Sequence, residues 1–413
     1  MKYDLIVIGG GPAGIIAAGR AGELGSRVLL LEKNKELGKK LLMTGKGRCN
    51  ITNKKENIRE FIKEIGPNGK FLFSALSFFG INETIEFFRK IGIRTKIEED
   101  NRVFPVSDKS RDVLKALIDY LKESKVEIRM GAEVKKVVKK DNVIEKVILM
   151  NGEELQAKKF IITTGGKSYF RTGSTGDGYR WARELGHTIN EPTPSLSPMI
   201  MNSKVIKKLE GLSLRDIKLS LYGGDNKKIE SVMGDVVFTS DGVSGPSIIN
   251  MSRKIAKIPV AGFKLKIDLF PDKDFRETEQ MIQDHFQEIS RKIFSNSLEE
   301  FLSPKLIPVI VKLSGIDPEK KVLSITREER KKIIHLLKDL TFELKSLAGF
   351  DKAIVTSGGI DLGEIDQKTM KSKFINNLYF AGEVIDLDGP TGGYNLQISW
   401  TTGYLAGEMS RVL

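Results

Sequence analysis

Residues 3–33 read YDLIVIGGGPAGIIAAGRAGELGSRVLLLEK, and the fold class follows from this stretch. Leu5 to Ile8 is a short apolar, β-branched run, which predicts a strand. Gly9, Gly11 and Gly14 follow in G-x-G-x-x-G spacing, with Pro12 and Ala13 between the last two. A small-residue helix then runs to about Gly25, a second apolar run covers Val28 to Leu31, and Glu32 closes it. The pattern is a βαβ dinucleotide-binding unit. Gly9 permits the tight turn, Gly11 lets backbone N–H groups approach a pyrophosphate, and Gly14 lets helix and sheet pack closely. The helix N-terminus offers its positive dipole end to phosphate. Glu32 is placed to accept hydrogen bonds from a ribose 2′-hydroxyl, which favours FAD or NAD over NADP. The glycine turn alone also occurs in unrelated α/β proteins. Strand, helix, second strand and acid in register make it a cofactor prediction.

Outward from this unit, three stretches bear on the same ligand. Gly38 to Asn53, GKKLLMTGKGRCNITN, is rich in glycine and hydrogen-bonding side chains and reads as an ordered loop along a ligand. Thr44, Gly45 and Gly47 let backbone lie against a flat or extended cofactor, and Asn50 offers hydrogen bonds to it. Lys33, Lys40, Lys46 and Arg48 add charge for cofactor phosphates or a substrate anion. Phe160 to Gly166 is a buried strand ending in Thr164-Gly165-Gly166, a turn suited to passing a pyrophosphate. Near the C-terminus, Leu378 to Phe380 leads into Gly382-Glu383, and Thr391-Gly392-Gly393-Tyr394-Asn395-Leu396 opens a final helix. A returning strand that ends in glycine and an acid, followed by a helix N-terminus, suits a ribityl chain and a flavin ring. An NAD-only protein has no use for it, so FAD is the expected cofactor. Val134 lies where backbone commonly meets an adenine.

The 413 residues allow two or three domains. Four strands are expected in Val126–Arg129, Val134–Lys140, Val143–Met150 and Glu154–Ala157, the third joining the Rossmann sheet and the rest a meander. Phe71, Ala75, Phe78 and Phe79 form an aromatic stripe at helical spacing, read as core. Pro192, Pro194 and Pro198 mark a boundary. Beyond it, strands at Leu214–Leu221, Ile229–Ser240 and Phe263–Leu269 suggest a small barrel or sandwich, and Asp274 to Leu347 turns helical, with periodicity in Glu328–Leu344. Ala353 to Ser357 reads as a strand and Gly358-Gly359 as a turn. The expected architecture is α/β: a discontinuous Rossmann-type FAD-binding domain (1–190 and 350–413) with an inserted domain (191–349), β-rich over 191–272 and helical over 273–349.

Composition narrows the function. Net charge is +13, and Lys33, Lys35, Lys39, Lys40, Lys46, Arg48, Lys54 and Lys55 crowd one stretch with only Glu36 against them. Such an excess suits a polyanionic partner, or reflects a lysine-rich proteome. No apolar run reaches transmembrane length and the N-terminus enters a strand directly, so a cytoplasmic protein with no membrane partner is expected. A single cysteine, Cys49, excludes internal disulfides and cysteine-based metal sites. His187, His285 and His335 lack ligand spacing, and no metal is expected. His187 closes a helix (ELGH), where a dipole role is the simplest reading.

Several motifs together carry a family resemblance: GKKLLMTGKGRCNITN, ITTGGKSYFRTGSTGDGYRWARELGH, FTSDGVSGP, TSGGI and LYFAGEVIDLDGPTGGYNLQISWTTGYLAG. They span nearly the whole chain, which resembles the YhiN/BaiN-type, or aminoacetone-oxidase, FAD-dependent oxidoreductases. The resemblance implies an FAD domain with an inserted barrel and helical part. Activities attached to the family are reduction of a uridine in large-subunit ribosomal RNA to dihydrouridine, reduction of the enone of 3-oxo-Δ4 bile acids, and oxidation of aminoacetone. The first two share hydride addition to a conjugated C=C and protonation of the neighbouring carbon. The expected function is therefore an NAD(P)H-using, FAD-dependent reductase acting on 23S ribosomal RNA. The alternatives are a small-molecule flavoenzyme with a steroid, bile-acid or amine substrate, and a non-catalytic flavin-binding protein. With no second Rossmann unit visible, NAD(P)H would dock transiently. Family members often carry His in the loop where this chain has Ser240, so a proton relay through that imidazole is unavailable here.

Cys49, in the loop the resemblance places beside the flavin, is the candidate general acid, with packing under the ring as the other reading. Asp386 and Asp388 are candidate polar groups near the ribityl chain or turn-stabilising residues. Tyr169 and Arg171 are candidates for the substrate side.

Overall fold

The computed structural model describes residues 2–411, which form two compact units, one reaching to Ser195 and resuming at Phe350, the other Leu196–Gly349. In the first, β1 (Tyr3–Ile8), β2 (Val28–Glu32), β3 (Glu127–Met130), β4 (Ala157–Ile162) and β5 (Leu378–Phe380) make a parallel sheet in the order β5-β4-β1-β2-β3. The apolar runs of β1, β2 and β5 and the end of β4 are continuous because a parallel sheet is covered on both faces, whereas the edge strand β3 has no fully buried residue. The strand order reverses between β1 and β4, and an open α/β sheet receives ligands at such a point.

Helix α1 (Pro12–Glu23) starts with proline in its first turn and carries alanines and glycines inward. Those small side chains let it lie between α2 (Ser110–Glu123) and α4 (Tyr394–Met409). A Cβ on Gly403 would stand 2.4 Å from the Ala13 carbonyl oxygen, and one on Gly407 2.5 Å from that of Ala17. α3 (Asp177–Glu184) follows the second glycine-rich loop.

Several expectations need correction. The sheet's fifth strand is Glu127–Met130, not Val143–Met150, which pairs with Val134–Lys140 and Glu154–Leu155 in a separate antiparallel meander. The alternation of exposed and buried residues in Val143–Leu149 fits a meander with one wet face better than a doubly covered sheet. The prolines do flank a division, which falls after Ser195, but Pro192 and Pro194 lie within a strand. Ile189–Ser195 is a strand antiparallel to Val355–Ile360, with a register irregularity between Asn190 and Thr193 that accommodates the prolines. The Gly358-Gly359 pair lies inside that partner strand, where a Cβ on Gly358 would meet the Glu191 carbonyl oxygen at 2.4 Å. Phe78, placed in the core by periodicity, is 45% exposed, whereas Ala75 and Phe79 are buried.

The second unit is a closed antiparallel barrel of six strands, in the order Met199–Met201, Gly242–Ser244, Lys228–Phe238, Ser213–Tyr222, Lys264–Asp268, Leu340–Leu347. Leu219, Leu221, Leu265, Ile267, Phe342 and Leu344 alternate inward and share one core with the helices Phe275–Glu288, Ile307–Ser314 and Arg327–Lys338. The helical reading of Glu328–Leu344 fails after Lys338. There the pattern changes to period two, and Leu340–Leu347 closes the barrel between two other strands. No single helix among the described residues is long and apolar enough to cross a membrane.

Candidate dinucleotide site

The turn after β1 is held from both sides. Thr163, directly after β4, donates its hydroxyl toward the carbonyls of Ile8 (3.0 Å) and Gly9 (2.8 Å). The Gly9 N–H reaches Leu31 O at 2.8 Å. Gly14 sits so close beneath the turn that a Cβ there would stand 1.8 Å from Gly9 O. Gly11 is the opposite case: an added Cβ would meet nothing within 4 Å. The turn therefore presses glycine against backbone on one side and faces open space on the other. That open side is at the α1 N-terminus, where unpaired N–H groups and the dipole suit an anion.

Glu32 is buried, and its carboxylate accepts from Gly10 N (2.7 Å), Asn34 N (2.8 Å) and Asn34 Nδ2 (2.7 Å). Oε1 is filled by the two Asn34 donors, while Oε2, which accepts only from Gly10 N, retains lone-pair capacity for a ribose hydroxyl. The segment carrying Val134 starts beside this acid, since Ala132 N donates to Glu32 O and Gly131 N to Asn34 O.

The other side of the turn meets residues from far along the chain. Gly382, at φ +78°, approaches so closely that a Cβ would contact that of Ala13 at 2.8 Å. Glu383 Oε2 accepts from Lys40 Nζ at 2.7 Å, and its Oε1 from Ser168 Oγ (2.9 Å) and Thr356 N (2.8 Å). Lys40 also donates to Ser168 Oγ at 2.8 Å. The Thr356 hydroxyl accepts from Lys167 N and Ser168 N, and a Cβ on Gly166 would meet that hydroxyl at 2.3 Å. Thr164, Gly165 and Gly166 are thus clamped between the β1 turn and Glu383. Thr163, Ser168 and Thr356 were not singled out from sequence, although all three lie inside or beside the glycine pairs that were.

The residues that follow the loop through Thr44, Gly45 and Gly47, Thr52 and Asn53, pack against the turn before α4. Gly393 fits because a Cβ there would stand 2.4 Å from the Thr52 carbonyl, and Asn53 Nδ2 donates to Gly392 O at 3.1 Å. Thr44 donates to Leu41 O. Asn395 points at Gly389 and Pro390 and holds the preceding turn, Tyr394 is buried against Phe61, and Leu396 is half-buried. Thr391 lies in the same turn. The buried oxygens Asn50 Oδ1 and Thr164 Oγ1 have no hydrogen-bond partner in the protein. A buried polar atom without a partner is costly, and both lie in the segments expected to face a cofactor. Thr164 Oγ1 sits against Gly178 of α3, so it is the open side of Gly11, Glu32 and the orphaned Asn50 oxygen that together fit a dinucleotide.

Other candidates are committed elsewhere. Lys33 is paired with Asp177 at 2.7 Å. Against the upward push of burial, hydrogen bonds from Lys33 and Thr175 hold the Asp177 carboxyl below its ordinary range. Arg48 forks between Glu98 and Asp108 and lies over the Phe104 ring at 4.0 Å, so it clamps its loop to the neighbouring hairpin instead of offering charge to phosphate. Asp386 accepts from Asn190 Nδ2 and Gly358 N, and Asp388 from Ser195 Oγ, which are turn-holding contacts. The general-acid reading of Cys49 does not fit its surroundings. The side chain has no exposed surface, and burial pushes the thiol up to about 12. It belongs to the core, held at φ +64°. His187 sits just past α3, where burial outweighs the upward pull of the Ala182 backbone in the helix's last turn. It is buried against Phe374 and Phe380, burial lowers its pKa, and Nε2 meets Ser372 Oγ at 2.8 Å.

Residues 3–409 match the HI0933-like protein Rossmann domain. The chain belongs to this family. Among its relatives in the HI0933-like family is the 3-dehydro-bile acid delta(4,6)-reductase of Clostridium scindens, 32% identical over 406 residues and covering 97% of each chain. The ribosomal RNA dihydrouridine synthase of Escherichia coli is 28% identical over 407 residues, covering 98% of each. In fold the chain is similar to a 3-ketosteroid-delta4-(5alpha)-dehydrogenase from Rhodococcus jostii RHA1, with a TM-score of 0.55 at 15% identity, covering 99% of this chain and 96% of that one. The HI0933-like fold here is a Rossmann-type FAD-binding unit with an inserted six-stranded barrel and helices. The protein is an FAD-dependent oxidoreductase.

Proposed function

We propose that the protein uses NAD(P)H to reduce a uridine of 23S ribosomal RNA to dihydrouridine. The observation that carries this reading is charge. A net excess of +13 serves a polyanionic substrate and brings no comparable benefit with a bile acid. The family relationship to the ribosomal RNA dihydrouridine synthases of Escherichia coli and Haemophilus influenzae supports it.

FAD bound in the site would supply hydride transfer to a conjugated C=C. The α1 N-terminus from Gly11 to Gly14 would bind the pyrophosphate, Glu32 the adenosine ribose, and the Gly382–Glu383 corner with Gly392 and Gly393 the ribityl and ring end. Lys40 and Ser168 orient Glu383, and Thr356 fixes the 166–168 backbone. Cys49 keeps its proton inside the core, so the proton for the neighbouring carbon comes from another group.

A specific observation favours a second reading: the bile-acid reductase is the relative with the higher identity, 32% against 28%. The same residues would then serve a small enone. Dihydrouridine mapping of 23S ribosomal RNA from the native host, with and without this gene, separates the two. Loss of one modified position in the deletion strain is expected. Identical maps would move the substrate to conjugated ketones.

A further inference from the structure

The lysine-rich stretch 33–55 divides sharply in the structure. Lys33, Lys40, Arg48 and Lys55 are ion-paired to Asp177, Glu383, Glu98 with Asp108, and Glu64. Lys54 donates to Asn82. Among the described residues, the exposed side chains of Lys35, Lys39 and Lys46 make no ion pair or hydrogen bond, and Lys39 and Lys46 are the two within the 38–48 loop. They are joined by a second segment that is remote in sequence. Ser110 Oγ donates to Leu42 O at 2.9 Å, Arg48 holds Asp108, and a Cβ on Gly38 would meet Leu114 at 2.6 Å. These contacts lay the start of α2 along the 38–48 loop. Lys109 and Arg111 there are exposed, again with no ion pair, and Arg111 lies one turn before Leu114 on the loop-facing side. The same two segments carry two exposed apolar side chains, Met43 at 50% and Val106 at 47%. The exposed carboxylate in the same turn of α2 is Asp112.

We infer that Lys39, Lys46, Lys109 and Arg111 form a ledge that grips the RNA backbone beside the target nucleotide, with Met43 and Val106 as its apolar floor. The inference rests on the ribosomal RNA reading above. Its physical basis is selective. Cations already paired inside the protein have little left for phosphate. Four unpaired cations from two segments, bordering the loop that carries Thr44 to Asn50, have their charge free for counterion release. The mixture of lysine, arginine and exposed apolar surface matches a backbone-gripping patch that positions a substrate without reading its bases.

The test compares two triple variants of the full chain on an unmodified 23S ribosomal RNA transcript, by filter binding across about 50 to 200 mM salt. Lys39→Glu/Lys109→Glu/Arg111→Glu removes the ledge. Lys204→Glu/Lys207→Glu/Lys208→Glu makes the same charge change on exposed residues of the inserted unit. The ledge variant is expected to keep wild-type FAD content and melting temperature. It should bind at least about tenfold more weakly near physiological salt, with a salt slope shallower by about 2 to 3, while the control loses less. Equal losses in both variants, or unchanged binding by the ledge variant, would overturn the ledge. Dihydrouridine formed by the wild-type protein on the same transcript is scored separately. If it forms while the ledge variant binds normally, only the ledge fails. If none forms, the RNA reading fails, and the ledge with it.

Discussion

The two halves of the candidate site are built in opposite ways. The β1 turn, from Gly9 to Gly14 with Glu32, comes from about thirty consecutive residues, and its geometry is made of backbone and missing side chains. The corner facing it joins Lys40, Ser168, Thr356 and Glu383, from four separated segments, through side-chain hydrogen bonds. The first half is steric and all-or-none. The second is electrostatic and graded, and it depends on the whole unit being folded.

Substitutions should separate the two. The largest effect is expected at Gly14→Val, whose Cβ would collide with Gly9 O and with Thr163 Oγ1. A loss of about 3 kcal/mol or more, with no FAD retained, should appear in thermal melts and flavin absorbance. Gly11→Val sharpens the point, because its Cβ enters open space. The apoprotein should melt like wild-type apoprotein yet bind no FAD, and a yellow, stoichiometric mutant would contradict the cradle.

On the assembled side, Glu383→Gln removes the charge facing Lys40, in a pair about one-fifth exposed on each side. A cost of about 1 to 3 kcal/mol and weakened FAD affinity, not its abolition, are expected from denaturant melts and flavin titration. Thr356→Val strips the acceptor from two amides and should cost about 1 to 2 kcal/mol. If either variant abolished FAD binding outright, the graded character of this half would be wrong.

The smallest effect is at Cys49. Cys49→Ala should leave turnover unchanged. The folded thiol ionises near 12 against an ordinary 9.0. Above about pH 9 the unfolded chain therefore ionises while the folded chain does not, and stability falls as pH rises toward 12. The alanine variant should lack that part of the alkaline decline in denaturant melts at graded pH.

This contrast also explains what the amino-acid sequence reveals. The βαβ unit is legible because its requirements fall on neighbours: a strand, three spaced glycines, a helix and an acid. The returning strand at Gly382-Glu383 is legible for the same reason. The partners of Glu383 are not, since nothing local marks Ser168 or Thr356 as facing an acid 215 or 27 residues away. Arg48 misleads in the same way, its glycine neighbours suggesting a ligand while Glu98 and Asp108 lie ready to take its charge. Periodicity fails where two elements adjoin, as at Lys338, where helix gives way to a barrel strand after one residue. It also places Val143–Leu149 in the wrong sheet, because a β-rich run does not state its partner.

The central claim concerns the substrate, and a single competition tests it. The purified holoenzyme would be given NADPH, an unmodified 23S ribosomal RNA transcript and a 3-oxo-Δ4 bile acid together, and both products measured by mass spectrometry. Dihydrouridine at one position of the RNA, with the bile acid untouched, is the predicted result. Reduction of the bile acid with the RNA unchanged would contradict the account.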